Sequence, residues 1–276
     1  MRSWYRETRF ECGDYLDVNI YPVYTKAPCR SRKAKPTSET QQRINDINAE
    51  NKLIRLANAN FTNHDLKVEL TYSTNHLPLD DKAAERELRN FLRRVKRYRE
   101  SHGLSPLKWI AVTEKGSRSN RYHHHLIMSG EMSLFDLVSL WGNGIVGTDI
   151  LMFDENGIAS LCRYMLKESR VVIGKKKYSR SRNLIIPQPK QRDNRFSKRK
   201  VKELAKDTEC RAEYEKLYEG YHLAQADVKL NDENGGVYIY ARFYKKEAAW
   251  CKRKRSNKSH SLNGQNSQKP NMKSSD

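Results

Sequence analysis

The spacing of apolar residues along the chain switches repeatedly between a period of two and a period near three and a half. Leu66-Lys67-Val68-Glu69-Leu70-Thr71-Tyr72 alternates apolar and polar side chains, which predicts a half-buried strand. From Lys82 to Glu100, Ala84, Leu88, Phe91, Leu92, Val95 and Tyr98 recur at steps of three and four. One stripe of an amphipathic helix therefore faces a core, with its arginines and lysines outward. Trp109 to Thr113 is a second strand by its β-branched and aromatic content, Lys115 to Arg121 a polar turn, and a third strand begins at Tyr122. Ser133 caps a short helix that ends at Gly142. Gly144 to Phe153 reads as a strand, Asp154 to Gly157 as a turn, and Ile158 to Glu168 as a helix. Thr37 to Ala59 is helical by the spacing of Ile44, Ile47, Leu53, Ile54 and Leu56. Gly236 to Tyr244 is a strand suited to completing the sheet, whereas residues 1–36 mix aromatics with charges and show no firm period.

This order of elements implies an α+β fold, a mainly antiparallel central sheet flanked by helices. The expected organisation is an N-terminal extension with a helix over residues 1–60, one domain over 61–250, and a tail over 251–276. The tail is basic and rich in Ser, Asn, Lys and Gln, a composition that predicts disorder.

Charge narrows the partners. A formal net charge of +20 points to a polyanion. No apolar run approaches the roughly 20 residues of a spanning helix, so nucleic acid is favoured over a membrane. The N-terminus is interrupted by charges every few residues, unlike a secretory signal, and a cytoplasmic location is expected. Cys12, Cys29, Cys162, Cys210 and Cys251 form no C-x-x-C pair and read as reduced thiols.

Chemistry concentrates in two places. Along the strand after Tyr122, His123 and His125 point to one face and His124 to the other with Leu126 and Met128. Glu114 ends the neighbouring strand, so a carboxylate and two imidazoles could converge on a metal. On the helix from Ile158, the residues Ile158, Leu161, Cys162, Met165 and Leu166 form an apolar arc that leaves Tyr164 off its centre. Lys167 lies about 60° around from Tyr164, and side chains three apart are neighbours. A phenol and an ammonium can share one site. Free tyrosine has a pKa of about 10, so a neighbouring cation is needed for phenolate chemistry near neutrality. Between Arg170 and Lys206 stand fourteen Lys or Arg against Asp193 and Glu203, with Tyr178 and Phe196 interleaved, as a strand-holding surface would require. Lys252 to Arg255 adds a non-specific basic arm.

Motif by motif the chain resembles the HUH endonucleases, specifically the single-tyrosine rolling-circle replication initiators of phages, plasmids and integrative elements. Val68-Glu69-Leu70-Thr71-Tyr72 is similar to the first family motif, His123-His124-His125 to the metal-binding H-x-H strand, and Tyr164-Met165-Leu166-Lys167 to the Y-x-x-K helix. The resemblance covers about Leu66 to Glu168. The family's middle residue in the second motif is usually a bulky hydrophobe. His124 stands there instead, and is expected to be buried or hydrogen-bonded on the reverse face.

The resemblance implies an RRM-like palm and a nicking endonuclease with Tyr164 as nucleophile and Lys167 beside it. It further implies Mg²⁺ or Mn²⁺ on Glu114, His123 and His125. Thr71, Arg118, Arg121, Arg163, Lys175, Lys176, Arg180 and Arg182 are the expected DNA contacts. The product would be a free 3′-hydroxyl and a 5′-phosphotyrosyl enzyme at a replication origin in single-stranded DNA, in the cytoplasm of a bacterial host. No G-x-x-x-x-G-K-[ST] loop is present, so no nucleotide cofactor is expected and helicase and polymerase would come from the host. A transposase or relaxase of the same chemistry and a non-catalytic nucleic-acid-binding protein are the competing readings. The spacing from His125 to Tyr164 favours an initiator.

Overall fold

The computed structural model describes residues 3–25, 39–116, 120–167, 177–206, 211–231 and 235–248. Two five-stranded antiparallel sheets carry the α+β fold. The first is built on a hairpin of β1 (Ser3–Cys12) and β2 (Tyr15–Tyr24), turned at Gly13 with φ +65°. After α1 (Glu39–Asn60) come β3 (Leu66–Thr71), a single 3-10 turn (Thr74–His76) and α2 (Asp81–Ser101). Then follow β4 (Trp109–Lys115), β5 (Tyr122–Met128), α3 (Leu134–Trp141), β6 (Val146–Ile150) and α4 (Ala159–Lys167). The chain continues through β7 (Ser179–Arg180), β8 (Lys190–Asp193), α5 (Lys198–Lys206), α6 (Arg211–Leu217), β9 (Tyr221–Asn231) and β10 (Gly236–Lys245).

The sheet that holds the histidines runs β6-β3-β5-β4-β7, and the other runs β8-β1-β2-β10-β9. This corrects the expectation of a single central sheet that β10 would complete. β10 is a strand, but Ile239 pairs with Ile20 and Phe243 with Leu16, so it lies between β2 and β9. Its buried Val237, Ile239, Ala241 and Phe243 pack with Val201 and Leu204 of α5 and Tyr214 of α6. The hairpin at the N-terminus supplies the edge that β10 joins.

Residues 3–24 therefore form strands although their sequence shows no firm period. Their interior is partly polar: Glu7 is fully buried, held by Arg195, by the Tyr218 hydroxyl at 2.6 Å and by Arg9 at 2.9 Å. A charged cluster standing where an apolar residue would mark the inward face erases the alternation.

Both faces of the histidine sheet are covered. α2 and α3 pack Leu88, Phe91, Val95, Leu137 and Trp141 against Val68, Leu70, Leu126 and Met128 on one side. On the other, α1 and α4 bring Leu53, Ile54, Ala57, Cys162 and Met165 against Ile110, Val112 and Ile127. The cap at Ser133 is a full capping box with Asp136, and Gly142 closes α3 in the left-handed region, as its place after the last apolar residue predicts. The basic tail expected to be disordered lies outside the described residues.

Candidate active site

Register decides which side chains meet. Glu114 of β4 and Thr71 of β3 both stand opposite His123, while Glu69 of β3 and Val112 of β4 stand opposite His125. Directly paired residues of antiparallel strands share a face. Thr71, His123 and Glu114 thus form one row, and Glu69, His125 and Val112 the next. The Glu114 carboxylate reaches diagonally to His125, Oε2 to Nε2 3.5 Å, with both side chains buried. His123 is half-buried and its Nδ1 is shut from solvent with no hydrogen-bond partner among the described residues.

α4 crosses this face and places Tyr164 over the histidines. The Tyr164 and His125 rings meet edge to face, centroids 5.6 Å apart at 80°. Ala159, Cys162 and Met165 anchor the helix beneath, so Tyr164, 46% exposed, keeps its ring at the surface of the site. Lys167 is exposed one turn further on. Burial pushes the Cys162 thiol up to about 12, which leaves it unreactive near neutrality.

On the reverse face His124 is fully buried, with Nε2 2.8 Å from the Tyr72 hydroxyl and Nδ1 2.9 Å from Thr113 Oγ1. Its ring packs edge-on against Trp141, centroids 6.0 Å apart. Burial first, then His125 and His123, pushes its pKa down to about 3. The imidazole is neutral, one ring nitrogen donating and the other accepting.

Other expected contacts scatter. Arg121 donates to Thr74 Oγ1 at 3.2 Å and ties the β4–β5 turn to the segment after β3. Arg163 is drawn to Glu50 of α1 at 2.9 Å. Arg180 pairs with Ile110, four residues along β4 from Glu114, about 13 Å at strand spacing. Arg182 follows it at the same edge. Arg118, Lys175 and Lys176 lie outside the described residues.

The basic run after α4 also differs from expectation. Lys177 pairs with Asp46, Lys190 with Glu11, Arg195 with Glu7 and Lys200 with Glu213. Phe196 is buried in the core of the other sheet, so it cannot stack on a base. Its apolar body is needed beneath α5.

Two site residues escaped the sequence reading. Glu69 stands opposite His125, and Lys67, on the same face, has its ammonium 5.9 Å from the Tyr164 ring centroid and 3.9 Å from Asp149. The alternation of β3 already puts Lys67, Glu69 and Thr71 on one face. Only the pairing with β5 reveals which face that is.

Among the described residues no three His, Cys, Asp or Glu side chains are drawn together into a ready-made metal cage. Two imidazoles and a carboxylate on adjoining rows, one with an unpartnered buried nitrogen, nevertheless make a donor set suited to a divalent ion. No curated protein and no solved structure matches the chain. Residues 65–169, the stretch that carries β3 to α4 and every one of these side chains, match the family model described as Replication-associated protein ORF2, which supports a role in replication initiation.

Proposed function

We propose that the chain nicks and rejoins single-stranded DNA to start rolling-circle replication, with Tyr164 as nucleophile. The contact of the Tyr164 ring with His125 carries this reading, because it sets a half-exposed phenol beside the candidate metal ligands. Glu114, His123 and His125 would hold Mg²⁺ or Mn²⁺, which when bound draws charge from a phosphate oxygen.

Tyr164 Oη attacks phosphorus. The Oη–P bond forms as the P–O3′ bond breaks, the phenol proton passes to solvent, and the departing 3′-oxygen takes up a proton. The phosphotyrosyl ester keeps the energy of the phosphodiester, so a 3′-hydroxyl can reverse the step without ATP. Lys67 and Lys167 offer cations near the phenol and the phosphate. Thr71 and Arg121 border the histidine row and position the strand.

The test is a pool of labelled single-stranded oligonucleotides tiling the replicon that encodes the chain, incubated with the protein and Mn²⁺. One of them is expected to give a covalent adduct that survives denaturation, lost in Tyr164→Phe and reduced at least ~100-fold in His125→Ala, the scale of losing a metal-borne electrostatic contribution. No adduct with the native chain would leave a non-catalytic binder as the better reading. An adduct with Tyr164→Phe would move the nucleophile elsewhere.

A further inference from the structure

A second cationic feature lies on the opposite face of the same sheet. Where α2 overhangs the edge formed by β4 and β7, an open groove of about 820 Å³ runs between them. Arg86, Arg89, Arg93 and Lys96 follow one another at steps of three and four, so they make a single exposed stripe along one bank. Residues 180–183, including Arg182, make the other bank, and Leu92, Leu107 and the half-buried Trp109 contribute to the floor.

We propose that this groove is a track for single-stranded nucleic acid, separate from the Tyr164 site. Phosphates would lie along the α2 stripe and bases against Trp109 and the leucines. The cations are available for such a role. Arg89 and Lys96 reach Glu85 and Glu100 only at 3.6 Å between exposed side chains, a weak kind of pair that a phosphate can displace. Arg93 bonds the neutral Asn90, and among the described residues neither Arg93 nor Arg182 has an ion-pair partner. Glu100 is the one carboxylate among the lining residues.

The apolar floor selects the strandedness. A duplex keeps its bases stacked inside and offers such a groove only phosphates, leaving Trp109 and the leucines in water. An unpaired strand can turn its bases onto them, and aromatic stacking under a basic rim is how such strands are held without regard to sequence. The inference rests on the charge and shape of this groove and stands whether or not Tyr164 is the nucleophile.

Binding of fluorescein-labelled dT20 to the full chain, without metal and across a salt series, tests it. The combined variant Arg89→Gln, Arg93→Gln, Lys96→Gln changes only exposed side chains. It is expected to bind at least tenfold more weakly and to shallow the slope of log affinity against log salt by about 2, from roughly 0.7 per phosphate contact. Trp109→Leu is expected to weaken dT20 binding while the slope and the binding of a 20-base-pair duplex stay as in the native chain. Should that variant misfold, ultraviolet crosslinking of a 5-iododeoxyuridine strand to the native chain is expected to map to Trp109. An unchanged affinity and slope in the triple variant, or a crosslink that avoids the groove, would overturn the proposal. Equal losses for the duplex on Trp109→Leu would overturn the single-strand assignment, and displacement of dT20 by polyglutamate at equal charge concentration would assign the groove to an acidic protein.

Discussion

His124 shows how one residue couples the site to stability. Its folded-state pKa of about 3 lies well below the ordinary 6.5, because burial among Tyr72, Thr113 and Trp141 disfavours the charged ring. Between those two values the unfolded chain binds a proton that the folded chain refuses. Stability therefore falls as the pH drops through this window, by up to about 1.4 kcal/mol per pH unit. From pH 7 to 5 the loss from this residue is roughly 2 kcal/mol. His124→Phe is expected to cost stability at pH 7, since two hydroxyls lose a partner, but to flatten the acid slope. Urea unfolding of both chains at pH 7 and 5 measures this, and equal slopes would count against it. The alternation of His123, His124 and His125 was legible in the sequence, because a strand sends successive side chains to opposite faces whatever surrounds it.

At the scale of elements, the close approach of the segment before β6 to the end of β3 holds the histidine row in place. Thr71 N donates to Ile145 O at 3.0 Å and Ser73 N to Asn143 O at 2.9 Å, which brings residue 144 onto the backbone of Thr71. A Cβ at Gly144 would stand 2.4 Å from Thr71 O and 2.7 Å from Ser73 N. Neither atom belongs to a side chain that could swing away. Gly144→Ala is expected to destabilise the chain by roughly 1–3 kcal/mol, the range for overpacking a well-filled interior. Thermal unfolding checks it; a melting temperature within a degree of the native chain would show that the two segments part without cost. Here the sequence was less informative. Apolar spacing predicted β3, α2, β4, β5, α3 and α4 nearly to their ends, since each buries a regular stripe. It could not place Glu69 opposite His125, because register depends on which strands pair and how far they slide.

Across the whole molecule, α1 joins the two sheets. Leu53, Ile54 and Ala57 pack on the histidine sheet. From the same helix Arg55 reaches β2, its Nε 2.8 Å from Asp17 Oδ2, while Arg242 of β10 approaches the other oxygen at 2.9 Å. All three side chains are close to buried, and Arg55 also lies over the Phe10 ring at 3.8 Å. Removing the carboxylate would leave two enclosed guanidinium groups facing each other. Asp17→Ala is expected to cost roughly 3–5 kcal/mol, as for other broken buried pairs. A loss under about 1 kcal/mol by chemical denaturation would mean that water enters and screens the pair. The described basic residues tell a similar story: many that looked like a DNA surface between Lys177 and Lys206 are tied to carboxylates distant in sequence, while the α2 stripe keeps its charge toward solvent.

Local pattern alone was enough for the element types of the central segment, the face each histidine takes and the placing of Tyr164 off the apolar arc of its helix. Those follow from backbone periods of two and 3.6, which need no knowledge of neighbours. Tertiary structure decided the rest: that β10 joins the N-terminal hairpin, that Tyr164 rests on His125, that Lys67 and Glu69 enter the site, and which cations keep their charge toward solvent. Each of these is settled by contacts between residues far apart in the chain, and such contacts are set by how pre-formed faces pack.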